Sequence, residues 1–150
     1  MEVKRVHLKW YKGVYVRGLV AVLLTIFFSW LLVQNGWFAG HSSVSVTLTN
    51  FLLYGMVLVA FVFSWYQRRE LKKLQSITEF TARVNHHRKY YRNRLAWFVL
   101  SVITSCFLYY LTGRGFFLYF SLFELVLLLL AYPKPDLFST ELREEKITFV

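Results

Sequence analysis

The sequence predicts an all-α fold: a bundle of four transmembrane helices built from two helical hairpins, with a basic, partly helical connector between them. Three observations predict it. Apolar residues make up 57% of the 150 residues, above the share of about half that soluble domains usually carry. The charges avoid four long stretches and crowd between them. Of the 18 Lys and Arg, all but Arg114 fall on one side of the membrane once four spans are drawn.

The first span runs from about 16 to 33, behind Lys4, Arg5, Lys9, Lys12 and Arg17. This start resembles a signal peptide, but no A-x-A-like site follows; Gly36-Trp37-Phe38-Ala39-Gly40 carries a bulky pair, so the span is read as retained. The second span runs from about 46 to 66, after a loop with no Lys or Arg. The connector, 67–94, holds nine basic residues, and the third span follows from about 95 to 111. Thr112-Gly113-Arg114-Gly115 forms a tight turn into the fourth span, about 116 to 132. The tail, 133–150, opens with Pro133 and Pro135, which stop that helix. The basic asymmetry places both termini in the cytoplasm of a bacterial inner membrane. Trp10, Trp65, Trp97 and Tyr132 then sit at the inner interface, and Trp30, Trp37, Tyr109 and Tyr110 at the outer one.

Enzyme chemistry has little to work with. Cys106 is the only cysteine, so no intramolecular disulfide can form, and it reads as a packing residue. No HExxH or CxxC spacing occurs. Asp136, the only aspartate, lies in the tail, so a Ser-His-Asp arrangement cannot be assembled. His86 and His87 are adjacent and diverge on a helix; with His7 and His41 they read as solvated interface residues. No metal, no cofactor and no enzymatic activity is expected.

Glu124 is the most informative residue, because it falls in the middle of the fourth span. An acid at bilayer depth costs roughly 2.5–3.5 kcal/mol, so it must face protein or water. It reads either as a proton or cation site or as a protonated carboxyl that glues helices together, with Thr25, Ser101, Thr104 or Ser105 as its partner. Small residues four apart, Thr25 with Ser29, Ala60 with Ser64 and Ser101 with Ser105, read as packing faces.

In the connector, Leu71, Leu74, Ile77 and Val84 share roughly one helical face, and Glu79 and Arg83 are spaced to pair. Arg68, Arg69, Lys72, Lys73, Arg88, Lys89, Arg92 and Arg94 supply contacts to anionic lipid. The favoured reading is an interfacial amphipathic helix on anionic headgroups; the charge can equally serve only to fix topology. Tyr90 and Tyr91 sit among basic residues, but no nucleic-acid-binding fold is visible. In the tail, Ser139 or Thr140 is expected to cap a short helix through Glu141, Glu144 and Glu145 that docks on the basic connector, meets a partner or is solvated.

Asn93-Arg94-Leu95-Ala96-Trp97-Phe98, Leu111-Thr112-Gly113, Phe117-Leu118-Tyr119-Phe120-Ser121, Ala131-Tyr132-Pro133 and Glu141-Leu142 resemble segments of small four-span membrane proteins of bacteria, especially the Bacteroidota. The resemblance covers the second hairpin and the tail and implies no particular activity. Small multidrug transporters also combine four spans with a membrane acid, but they carry that acid on the first span, where this chain has none. The expected function is that of a non-enzymatic accessory or regulatory subunit, working as a homo-oligomer or with a membrane-protein partner. The alternative is an oligomeric small transporter or channel that uses Glu124.

Overall fold

The structure is a computed structural model that describes residues 5–37, 45–144 and 147–149. A two-residue strand β1 (Arg5–Val6) precedes five helices: α1 (Leu8–Gln34), α2 (Val46–Gln75), α3 (Phe80–Thr112), α4 (Gly115–Leu130) and α5 (Pro135–Leu142). Strand β2 (Thr148–Phe149) closes a short parallel ladder with β1. The expected loop residues Phe38, Ala39, Gly40 and His41 lie outside the described residues, as do Glu145 and Lys146.

At about 1.5 Å per residue, α1, α2 and α3 are roughly 40, 45 and 50 Å long, well beyond a hydrocarbon core of about 30 Å. All three are apolar enough to cross a membrane. Helix α4 has 16 residues and falls short of that length, and α5 turns away from it by 82°. The chain ends α4 at Leu130 because Pro133 and Pro135 cannot continue it. The second span is capped at its start, where the Ser45 hydroxyl accepts a hydrogen bond from Leu48 N at 3.1 Å. Gly113 ends α3 with φ at 62°, a left-handed conformation that a side chain would strain.

Of the two expected hairpins, α3 and α4 pack as one, whereas α1 packs on α3 rather than on α2. Tyr11 meets His87 and Tyr91, and a Cβ on Gly18 would lie 3.7 Å from Val99 Cγ2, so α1 and α3 run parallel and close. The Tyr91 hydroxyl donates to Ala131 O at 3.1 Å, and Cys106 Sγ lies 3.4 Å from Ser121 Oγ, so α4 lies antiparallel on α3. Helices α1, α3 and α4 thus form a three-helix core. Helix α2 meets α3 antiparallel, with the Phe63 and Trp97 rings 4.6 Å apart, and scarcely meets α1. The most apolar windows of α1 and α2 are only 6% buried within the chain, against 33% for α3, so α3 is the central helix. The remaining apolar surface, such as Phe51 and Phe61, needs lipid around it.

The ends of α1, α2 and α3 that carry the basic residues extend past the apolar spans into a folded lobe. Val6, Tyr11, Leu74, Val84, Tyr91, Phe138 and Leu142 are buried there together. Each large side chain removed from water contributes about 1.5–3 kcal/mol, so the lobe is a core in its own right. Residues 67–94 are therefore not a separate helix lying on the membrane. They are the end of α2, a turn at 76–79 and the start of α3. Their apolar stripe is used internally: Leu74 and Val84 pack with Phe138 and Leu142 of α5. Arg83 does not pair with Glu79; it closes the turn by donating to Ile77 O at 2.8 Å, and it reaches Leu142 O at 2.8 Å and Glu144 at 3.2 Å. The tail helix starts earlier than its expected Ser139 or Thr140 cap, with Pro135 in its first turn, where a missing N–H costs nothing. Both hydroxyls instead bond back to Asp136 O.

Candidate functional site

Where α2 stands off from α3 and α4, a partly open cleft of about 750 Å³ runs along the bundle. Its α2 wall includes Phe51, Gly55, Ala60 and Gln67, and the facing wall includes Trp97, Ser101 and Glu124. Small residues open it on the α2 side: a Cβ on Gly55 would meet nothing within 4 Å. Most of the lining is apolar, and the polar groups gather at two levels. Glu124 and Ser101 stand at mid-span; Gln67, Arg68, Tyr90, Arg94 and Glu141 stand toward the basic end.

The lower level is set by helix register. Phe63 and Trp97 pair across the cleft, and one turn further toward the basic end lie Gln67 and Arg68 on α2 and Arg94 on α3. Gln67 is 9% exposed, and among the described residues neither its amide nitrogen nor its oxygen has a hydrogen-bond partner. A buried amide without partners costs about 1–3 kcal/mol, so its presence needs an explanation. Arg68 is exposed at the rim and has no acidic partner among the described residues. Arg94 donates to Glu141 Oε1 at 3.1 Å.

Behind this rim lies a buried polar relay. Glu141 Oε2 is 2.7 Å from His87 Nε2, and His87 Nδ1 is 3.0 Å from the Tyr11 hydroxyl. Tyr11 lies on the part of α1 that projects past the apolar span. Burial pushes its hydroxyl well above the ordinary tyrosine range, while the Arg88 guanidinium pulls it back. Tyr11 therefore stays protonated; its hydroxyl pairs with Nδ1, and Nε2–H donates to the Glu141 carboxylate. Tyr11, His87, Tyr91 and Phe138 surround one another with ring centroids 4.7–6.4 Å apart. His87 is fully buried, so the expectation of a solvated histidine is wrong for it; the aromatic cage and two hydrogen bonds offset the loss of water. His86 is half-buried, 3.7 Å from Glu70, and His7 is exposed. Among the described residues no group of three or more His, Cys, Asp or Glu is placed to hold a metal ion.

Glu124 is 6% exposed, on the face of α4 that looks at α3, and Ser101 lines the same cleft. Thr25, Thr104 and Ser105 direct their hydroxyls to carbonyls four residues back, those of Ala21, Leu100 and Ser101. The basic residues divide into three sets. Arg68 and Arg94 line the cleft; Lys72, Lys89 and Arg92 are exposed; Arg69 and Arg88 lie over the Trp65 and Trp10 rings at 5.8 and 5.9 Å, and Lys73 pairs with Glu70 at 2.7 Å. The acidic tail docks on the basic connector through Glu141 with Arg94 and Glu144 with Arg83. Sequence reasoning missed Gln67, Tyr11 and His87. The only signal for Gln67 was its position at the foot of an apolar run. No family model, no curated protein and no solved structure matches the chain.

Proposed function

We propose that this chain is a non-enzymatic accessory membrane protein that takes an apolar guest chain from the bilayer into the cleft beside α2. The cleft carries this reading. Its volume of about 750 Å³ falls in the range of roughly 300–1,000 Å³ typical of ligand sites, and its lining is mainly apolar. Helix α2 rests on the three-helix core along one side only, so it is the wall that a guest would move. The relay of Tyr11, His87 and Glu141 supports a structural rather than a catalytic lobe, since Tyr11 and His87 are fully buried and both ring nitrogens are engaged.

In this reading α4 completes a fourth span and the basic end faces the cytoplasm. Two observations support it. The ladder between β1 and β2 brings the two ends of the chain together, and Glu141 meets His87 on the same lobe. With α1, α2 and α3 crossing, the chain must return through α4 to reach that lobe. The basic residues there favour the cytoplasmic side.

Filling the cleft tests the proposal. Gly55→Leu places a side chain into open space, so the variant should fold and melt at or above the wild-type temperature. Lipid retained per protein after exchange into mild detergent should fall at least about twofold, as expected when an apolar site is occupied by protein atoms. Unchanged retention would sink the reading.

One observation favours a second reading. Glu124 lines the same cleft at mid-span, where a proton or cation site of an oligomeric transporter would stand. Proteoliposomes loaded with a pH-sensitive dye separate the two. A proton flux in wild type that Glu124→Gln abolishes supports transport; absence of flux in both, with guest retention kept in the variant, supports the accessory role.

A further inference from the structure

We infer that the basic end of the cleft is a headgroup site for an anionic phosphodiester lipid, with the phosphate held by Gln67, Arg68 and Arg94 and one hydrocarbon chain lying in the cleft above. The inference rests on the guest-capture reading and names the guest.

Three independent features converge. The first is the unpartnered amide of Gln67, which is more than nine-tenths buried and lines the cleft. The amide nitrogen can donate to a phosphate oxygen, and the amide oxygen can accept from a glycerol hydroxyl. The second is charge. Arg68 and Arg94 oppose a single carboxylate, Glu141, leaving one positive charge in excess at this level. A phosphodiester with a neutral headgroup carries one negative charge and balances it. An ethanolamine or choline headgroup would bring its own cation beside two guanidinium groups and lose that balance. The Arg fork also matches phosphate geometry, and Arg94 uses only one of its donors on Glu141.

The third feature is depth. The site lies one helical turn below the Phe63 and Trp97 pair, and above that pair the lining turns apolar with Met56, Val59 and Ala60. A Trp at this position marks the level where headgroups meet hydrocarbon. Along the α2 wall the cleft thus changes from polar to apolar in the order that a phospholipid does, with Ser101 and Glu124 as a separate polar level on the facing wall. Surface attraction to the exposed Lys72, Lys89 and Arg92 is a different effect, without shape and without a fixed stoichiometry.

Trp97 lines the cleft and serves as a reporter. Full-length protein in a nonionic detergent is titrated with phosphatidylglycerol or phosphatidylethanolamine carrying brominated acyl chains, which quench tryptophan on contact. The quenching assigned to Trp97 is the part lost in Trp97→Phe. It should saturate at one phosphatidylglycerol per protein, with an affinity about tenfold above that for phosphatidylethanolamine, the scale of one charge-assisted hydrogen bond. Arg68→Gln and Gln67→Leu should each erase most of that preference. Gln67→Leu should melt no lower than wild type, because it removes two unpartnered atoms. Arg92→Gln, outside the cleft, should change nothing.

Equal quenching by both lipids would overturn the headgroup site while leaving guest capture intact. No Trp97-dependent quenching by either lipid would overturn both. A loss of affinity in Arg92→Gln as large as in Arg68→Gln would reduce the effect to surface charge. Displacement of the lipid by inorganic phosphate, beyond that by sodium chloride of equal ionic strength, would make this a site for a free anion instead.

Discussion

His87 is sealed inside the basic-end lobe because each of its nitrogens has one complementary partner. The Tyr11 hydroxyl pairs with Nδ1, and Glu141 accepts from Nε2–H. Removing either partner leaves a buried polar atom unsatisfied. Tyr11→Phe keeps the ring contacts with Phe138 and Tyr91 and deletes only the hydroxyl, so it should destabilise the lobe by about 1–3 kcal/mol. Glu141→Gln also ends the ion pair with Arg94 and should cost more than Tyr11→Phe. Thermal unfolding in detergent, followed by near-ultraviolet circular dichroism, reads both. Equal stability of all three proteins would mean that the relay is not structural. None of this was legible in the sequence: Tyr11, His87 and Glu141 are 54 to 76 residues apart along the pairs they form, and no local pattern links them. Glu124 was legible, because an acid among leucines and phenylalanines is conspicuous without any knowledge of its neighbours. Gln67 was not, since a glutamine at the foot of an apolar run looks like an ordinary interfacial residue.

Among the helices, α2 differs from the rest in how it is held. Helices α1 and α3 approach closely at Gly18, and α4 is bonded to α3 at Ser121 and Ala131, whereas α2 touches the core mainly at Phe63 and near the basic end. Spin labels on exposed positions of α2 and α4 at the far end from the lobe should give a broader distance distribution than labels on α1 and α3, and an added guest lipid should narrow it. Equal widths would show α2 to be as fixed as the core. The turn between α3 and α4 makes the opposite demand. Gly113 at φ 62° holds α4 antiparallel, and Gly113→Ala should cost about 1–2 kcal/mol through the strained conformation. The spans themselves could be read from apolar run length, which depends only on neighbours along the chain. Their packing could not, because lipid-facing and helix-facing residues are equally apolar in a membrane. For the same reason the stripe of Leu74 and Val84 looked like a lipid-facing surface. It is a core seam, covered by Phe138 and Leu142 from a segment more than fifty residues further on.

At the scale of the whole molecule, one constraint links the membrane spans to the lobe. The ladder pairs Arg5 with Thr148 and Val6 with Phe149, so both ends of the chain lie on one side of any membrane that the bundle crosses. An even number of crossings follows, and α1, α2 and α3 supply three that qualify by length and composition. In the proposed topology helix α4 supplies the fourth at about 24 Å, which is short of a hydrocarbon core of about 30 Å. Local thinning of the bilayer, at fractions of a kcal/mol per Å, can accommodate the mismatch. Tyr132 and the prolines after it then sit at the inner boundary. Reporter fusions at residue 40 and at the C-terminus should therefore report opposite sides, with the C-terminal reporter cytoplasmic. Replacing Lys72, Lys73, Lys89 and Arg92 together by Gln should weaken this preference without disturbing the cleft, since these side chains do not line it. Reporters on the same side would mean that α4 dips into the membrane and returns. That outcome would require the ladder and the contact between Glu141 and His87 to break, because both hold the tail against the lobe that begins α1.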